Sequence, residues 1–417
     1  MTTSSRSSVM LIAVCAIGIT QITAWGTSYY CLGVLAAPIS DELEWSRSFV
    51  FFGFTVALLV MGAISTPIGK LIDRQGARLV MCSGTVIVSV GLATLANVTA
   101  QWTYLLTWAV LGVGMRMCLY DAAFAAMVQV APSEGRQAIS YLTLFGAFAS
   151  SVFWTVGHHL NEAVGWRETL IWFSLINLAI CLPLNWLGLS RREPANVESC
   201  VDQSKQVTQE RPPLEGGTRR IAMCLFAGVM SLNGFVFGVV SVQLVPLLES
   251  AGLATAAAVG VASIKGFAQF GGRVVEIIFG RNLRAMTIAR IAVGVLPVSI
   301  IILLGASGNF AALVLFTLVM GASQGVITIV RGAVPLALFG PKGYGAVLGL
   351  IATPILIVNA TAPTLFALII DRWDWRTAEL VLLFSCTAAW IAMELMSRWY
   401  ERTGTAGPSP AGDSPTP

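Results

Sequence analysis

Charge is what this chain has least of. Only 11% of its 417 residues are Asp, Glu, Lys or Arg, where a water-soluble domain carries about 25%. With 56% hydrophobic residues, a single water-facing globule cannot hide its apolar surface, and the solvent implied is lipid. Histidine is scarcer still: His158 and His159 stand side by side and are the only two. Neighbours on a helix face different ways, so they share no metal ion. No nucleophile–base set lies at depth, so the sequence predicts no enzyme, no metal and no cofactor. The eight cysteines are scattered singly with no CxxC pair, which excludes a disulfide framework and a zinc ribbon. The net charge of +4 sits in loops and forms no patch, which excludes a nucleic-acid partner. The first apolar stretch, from Met10, runs too long for the core of a cleavable signal peptide.

Long apolar runs are what the chain has instead. A spanning helix needs roughly 20 such residues. Twelve candidates occur, over 9–38, 47–68, 78–99, 102–130, 139–161, 168–189, 219–247, 253–279, 284–306, 310–338, 343–370 and 376–399. The predicted fold class is all-α integral membrane, with twelve transmembrane helices in two pseudo-symmetric six-helix bundles, over 1–190 and 219–403. The polar stretch 191–218 contains Pro212-Pro213 and reads as a linker. The Pro- and Gly-rich tail, 404–417, reads as disordered. Lys70, Arg136, Arg219, Arg284 and Lys342 belong to the loops rich in basic residues, while the opposite loops hold Arg47, Arg167, Arg372 and Arg376. The positive-inside rule then makes the linker and both termini cytoplasmic, in a multi-pass protein of the cell (inner) membrane.

The chain also repeats itself at an interval of 209 residues. Cys15 pairs with Cys224, Gly112 with Gly321, Pro132 with Pro341, and Trp166-Arg167 with Trp375-Arg376. Two similar halves threaded through lipid point to transport, with a site where the halves meet.

Four ionisable residues interrupt the apolar runs: Arg116 and Asp121 in span 4, Lys265 in span 8 and Arg331 in span 10. A charge at such depth is costly unless paired or hydrated. Each of the four breaks the repeat: Arg116 meets Gly325, Asp121 meets Val330, Lys265 meets Val56 and Arg331 meets Ala122. Arg116 and Asp121 stand about 140° apart around a continuous helix, so each is expected to find its partner elsewhere. Three cations against one carboxylate predict a cavity that attracts anions. Arg116, Lys265 and Arg331 would hold the anion, and Asp121 would carry a proton. Gln324 and Thr328 share a polar stripe with Arg331; Trp25 and Tyr29 form another on span 1, and Asn233 sits near the centre of span 7. These five are further substrate-binding candidates, although polar groups at depth also serve as interhelical glue.

Between spans 2 and 3 runs Gly69-Lys-Leu-Ile-Asp-Arg-Gln-Gly-Ala-Arg78. Its two glycines permit a tight turn. Asp73, Arg74 and Arg78 can latch onto a neighbouring helix end and release it. The order of these residues resembles the signature loop of the major facilitator superfamily, and with the two six-helix halves the resemblance covers nearly the whole chain. It implies that Gly69, Asp73, Arg74, Gly76 and Arg78 belong to a conformational gate and do not bind substrate. The second copy is degraded: Asp73 meets Asn282, with Gly272-Arg273 and Glu276 as a shifted remnant. A finer resemblance, carried by the stretch from Gly26 to Leu35 and by Trp45-Ser-Arg47, is to bacterial members of the monocarboxylate-porter branch. Span 8 departs from that branch, having Lys265 and Arg273 but no Asp. Span 5 lacks the Gly-Pro core of the drug-exporter antiporter motif.

The function expected is secondary active transport by alternating access. The cargo would be a small, monocarboxylate-like organic anion coupled to protons. The protein would act as a monomer whose partners are that small molecule, protons and the lipid bilayer. Two rival readings stand beside it. Cys31 and Cys118 would suit efflux of a thiophilic metalloid such as arsenite, or of another small toxic compound. A transporter-like membrane sensor would need a folded output domain, for which the linker and tail are too short.

Overall fold

The helices start and stop where the sequence supplies the chemistry for it. Ser46 accepts a hydrogen bond from the Phe49 amide and Asn309 one from the Ala312 amide, each capping the helix that follows. Asp374 does the same for Thr377, and the Thr377 hydroxyl and amide hold its exposed carboxyl below the usual range. Gly76 takes a positive φ of 86° to end one helix and begin the next.

The computed structural model describes residues 3–190 and 213–403. The expected tail, 404–417, and residues 191–212 of the expected linker lie outside them. Among the described residues every regular element is helical. The long helices are α1 (Ser8–Leu43), α2 (Arg47–Gln75), α3 (Ala77–Leu95) and α4 (Gln101–Val130). Gly135–Gly188 holds two more, α5 and α6, divided at Gly165 by a φ of 84°. The second half supplies α7 (Gly216–Ser250), α8 (Thr255–Phe279), α9 (Ala285–Gly305), α10 (Phe310–Phe339), α11 (Tyr344–Arg372) and α12 (Trp375–Thr403). Among the described residues ten stretches are long and apolar enough to cross a bilayer. Gly135–Gly188 counts there as one, and α8 falls short because Lys265, Gln269 and Arg273 dilute it. With those two restored the twelve expected helices are present. Phe267 and Phe384 lie more than 70% exposed on the outer surface, as lipid-facing side chains do.

One boundary differs in a way that matters. Residues 69–75 are not a loop but the last two turns of α2, and only Gly76 leaves the helix. Ile72 is buried in the core and keeps these turns helical.

The repeat has a structural meaning. Gly112 of α4 packs on Ala57 of α2, and Gly321 of α10 packs on the Lys265 backbone of α8, at equivalent crossings. Arg167 donates to the carbonyls of Ala96 and Val98 just beyond α3; Arg376 donates to Leu304 at the end of α9. Both guanidinium groups neutralise the negative end of a helix.

Three buried cores organise the helices. At the end that carries residues 69–78, called here the basic end, a single core draws on both halves, joining Ile72, Phe124 and Ile139 to Val330, Leu338 and Tyr344. At the opposite end the core shared by the halves narrows to α11 against the first half. One core there belongs to the first half with three residues of α11, and the other belongs to the second half alone.

Candidate functional site

The site begins with a break in α4. At Leu119 the backbone is extended (φ −81°, ψ −168°), and the helix resumes at Tyr120. Neither Gly nor Pro marks the place. The carbonyl of Cys118 turns to α1, where it accepts from Gln21 Nε2 at 2.9 Å. This break overturns the expectation that Arg116 and Asp121 stay apart: Arg116 Nη1 lies 3.5 Å from Asp121 Oδ2. The 140° separation held only for an unbroken helix. Arg116, 2% exposed, also donates from Nε to Ser65 Oγ of α2.

The same Asp121 oxygen accepts from Arg331 Nη2 at 2.7 Å, across the boundary between the halves. The repeat explains the meeting, because Arg331 is the counterpart of Ala122, the residue after Asp121. Pseudo-symmetry sets them at one depth beside the axis. Asp121 Oδ1 and Arg331 Nε remain buried without a partner.

These residues form the floor of a cavity lined by both halves. Its two walls differ in chemistry. The first half supplies rings: Trp25, Tyr29, Tyr30, Tyr120 and Phe124. The Trp25 ring lies 4.6 Å from that of Tyr29 and 5.0 Å from that of Tyr120, centroid to centroid. The second half supplies carboxamides, from Asn233, Gln269, Gln324 and Asn359. Asn233 Oδ1 and Gln324 Oε1 have no hydrogen-bond partner.

Of the residues singled out from the sequence, Arg116, Asp121, Arg331, Gln324, Thr328, Trp25, Tyr29 and Asn233 all line this cavity. Lys265 does not. Its Nζ lies 5.6 Å from the ring centroid of Phe237, which is itself a lining residue. Arg273 lines the cavity instead; it donates to Thr143 O of α5 and weakly to Gly325 O. Eight helical residues separate the two, about 80° of turn and 12 Å of rise, enough to exchange one side of α8 for another. The lining therefore holds Arg116, Arg273 and Arg331 against Asp121. Sequence reasoning passed over Gln269 and Asn359. The spacing of Gln269, Arg273 and Glu276 along one helix face is the signal that finds the first. Cys31 and Cys118 are buried away from the lining; Cys31 Sγ donates to Ser28 O. His158 and His159 are exposed and both lie near Glu162.

Below the floor the basic end is tied shut. Asp73 accepts from the amides of Gly345 and Ala346 at 2.9 and 2.7 Å, placing a carboxylate on the positive end of α11. A Cβ on Gly69 would collide with the Gly345 backbone, so only glycine admits this approach. Gln129 accepts from the Ala77 amide and donates to Ile72 O, bracing the turn at Gly76. Arg78 stacks over Trp186 at 3.7 Å and Arg74 is exposed. A second tie uses the reverse polarity: Arg136 donates to Gly280 O and Leu283 O beyond α8 and lies 3.6 Å from Glu276.

The sequence profile of the Major Facilitator Superfamily matches residues 17–302. An agnestins efflux protein from Paecilomyces divaricatus is 28% identical over 190 residues, which span 44% of this chain and 40% of that relative. Among solved structures, the human organic anion transporter TETRAN superposes with a TM-score of 0.68 at 14% identity, covering 94% of this chain and all of the other. A proton:xylose symporter gives the same score over 95% of this chain and 96% of its own, and the E. coli fucose:proton symporter gives 0.65 over 93% and 99%. At 13–14% identity these likenesses speak for the fold alone.

Proposed function

This chain belongs to the major facilitator superfamily and is a secondary transporter, and from that premise we propose that it moves a small organic anion together with protons by alternating access. The observation that carries the reading is the single Asp121 oxygen shared by Arg116 and Arg331. An anion that reaches Arg331 competes with Asp121 for it. Asp121, relieved of one guanidinium, takes a proton, and the link between the halves is lost. The basic end then opens while the anion stays bound. Three lining guanidinium groups against one carboxylate support an anionic cargo.

The basic end is read as cytoplasmic, which makes the observed arrangement the outward-open one. Asp73 and Arg136 are read as the latches that hold it. Trp25, Tyr29, Asn233, Gln324 and Thr328 are read as cargo contacts, in keeping with a monocarboxylate-like substrate, while Lys265 stands behind the lining. The thiol-based metalloid reading loses its footing, because neither Cys31 nor Cys118 faces the cavity.

The test is reconstitution in liposomes. Organic anions are screened for flux with and without a proton gradient, in the unaltered protein and in Asp121→Asn. The expected result is anion flux that the gradient accelerates in the first and leaves unchanged in the second. Gradient-driven flux surviving in Asp121→Asn at every pH would remove the proton role of Asp121.

A further inference from the structure

The two cavity walls differ more than a generic anion requires. A carboxylate alone needs cations, and the floor provides them. Five of the lining rings sit on the first half, with Phe237 the one on the second, and the lining carboxamides all sit on the second half. An aliphatic acid of a few carbons could reach the cations of the floor and would leave the ring faces and the carboxamides of the walls without partners.

The ring wall is held in position from behind. Tyr29 packs edge-on against Phe54 at 4.8 Å and Tyr30 against Trp154 at 6.2 Å. Trp25 Nε1 donates to Gln21 Oε1, whose own amide nitrogen is bound to Cys118 O. That fixes the indole orientation. Tyr120 stacks on Phe124 with an interplanar angle of 15°. A preformed array of flat faces favours a flat partner, since stacking contributes without reorganising the wall.

The opposite wall carries orphaned acceptors. Asn233 Nδ2 is bound within its own helix to Val229 O, which leaves Oδ1 buried and free. Gln324 Oε1 is likewise buried and free. Buried acceptors without partners are costly, and a ligand that donates to them recovers the loss.

We propose that the cargo is a planar, ring-bearing organic acid with a hydroxyl or other hydrogen-bond donor on the ring. Its carboxylate reaches Arg331, its face lies on Trp25 and Tyr120, and its donor meets Asn233 or Gln324. This rests on the anion reading above and specifies the class of anion.

The experiment compares four probes on the purified, intact protein, by ligand-induced thermal shift and by competition for flux in liposomes. They are 4-hydroxybenzoate, benzoate, 4-hydroxycyclohexanecarboxylate and the neutral 4-hydroxybenzamide. The first is expected to bind about tenfold more tightly than the saturated ring, which keeps charge and donor but loses flatness. It should exceed benzoate by a similar factor, since benzoate leaves the acceptors unpaired. Trp25→Leu should erase the first preference and Trp25→Phe retain it; Asn233→Leu should weaken the second. Should a variant fail to fold, the ranking of the four probes on the unaltered protein still decides. Equal binding of flat and saturated acids overturns the ring proposal and leaves the anion reading intact. Binding of 4-hydroxybenzamide as tightly as 4-hydroxybenzoate overturns the anion reading itself.

Discussion

At the basic end the two halves share one core and exchange polar groups, whereas at the other end the packing between them narrows to α11 against the first half and the ion pairs stay within a half. Asp73 reaches the amides that open α11, Arg136 the carbonyls beyond α8, Arg273 a carbonyl of α5, and Asp121 the guanidinium of Arg331. These ties lie at this end or on the cavity floor, and above the floor the side chains of Tyr29 and Asn359 meet across the cavity. At the opposite end Arg167 binds Glu42 at 2.8 Å and the carbonyls beyond α3, all within the first half. Arg376 does the equivalent in the second. The same residue types thus do two jobs. Between halves they are ties that can be exchanged for water or cargo as the halves rock; within a half they keep the bundle rigid while it moves.

The contrast can be broken at graded cost. Arg331→Ala should act most strongly, because it removes the cross-half hydrogen bond to a buried carboxylate that Arg116 still faces, a loss of about 1.5–3 kcal/mol. Gradient-driven flux should vanish, and cysteines placed on the basic-end seam should become accessible to aqueous thiol reagents. Gly69→Val comes next. Its side chain would meet the Gly345 backbone, and overpacking costs about 1–3 kcal/mol. The expected outcome is a basic end that no longer closes, read as a shift of the inter-half distance toward the separated state. Asp73→Asn keeps the shape but loses the charge on the α11 terminus, worth about 0.3–1 kcal/mol for an exposed group. Transport should persist with a few-fold change in the population of the two states. Glu42→Gln sharpens the comparison from the other side. It should lower the melting temperature slightly, as an exposed pair worth about 0.2–1 kcal/mol allows, without moving the halves relative to one another.

Much of this was legible in the sequence, and the exceptions have causes. Hydropathy gave the helices because lipid imposes length and polarity on each. The repeat marked Gly112, Gly321, Arg167 and Arg376 as parts of the frame, and their equivalent crossings and caps show why those positions match. The deep charges announced the cavity floor, since burying Arg116, Asp121 and Arg331 demands partners. Besides Gln269 and Asn359, three things escaped. The break at Leu119 carries no Gly or Pro and depends on Gln21 from another helix, so no local pattern reveals it. With it went the pairing of Arg116 and Asp121. Lys265 and Arg273 lie on one helix with similar charge, and only the rotation of α8 against its neighbours selects Arg273 for the lining. The last helical turns of α2 looked like a loop because their charges resemble one, while the buried face of Ile72 decides otherwise.

The central claim is that the charge on Asp121 holds the basic end shut. The direct measurement is the distance between spin labels placed at Lys70→Cys and Lys342→Cys, exposed positions on the α2 and α11 sides of the seam, in a cysteine-depleted background. The distance distribution is followed as pH falls, with and without Asp121→Asn. The account predicts a short, closed distance that gives way to a longer one on acidification, and the longer one at all pH values in Asp121→Asn. A closed seam in Asp121→Asn that opens with the same pH dependence as the unaltered protein would contradict it.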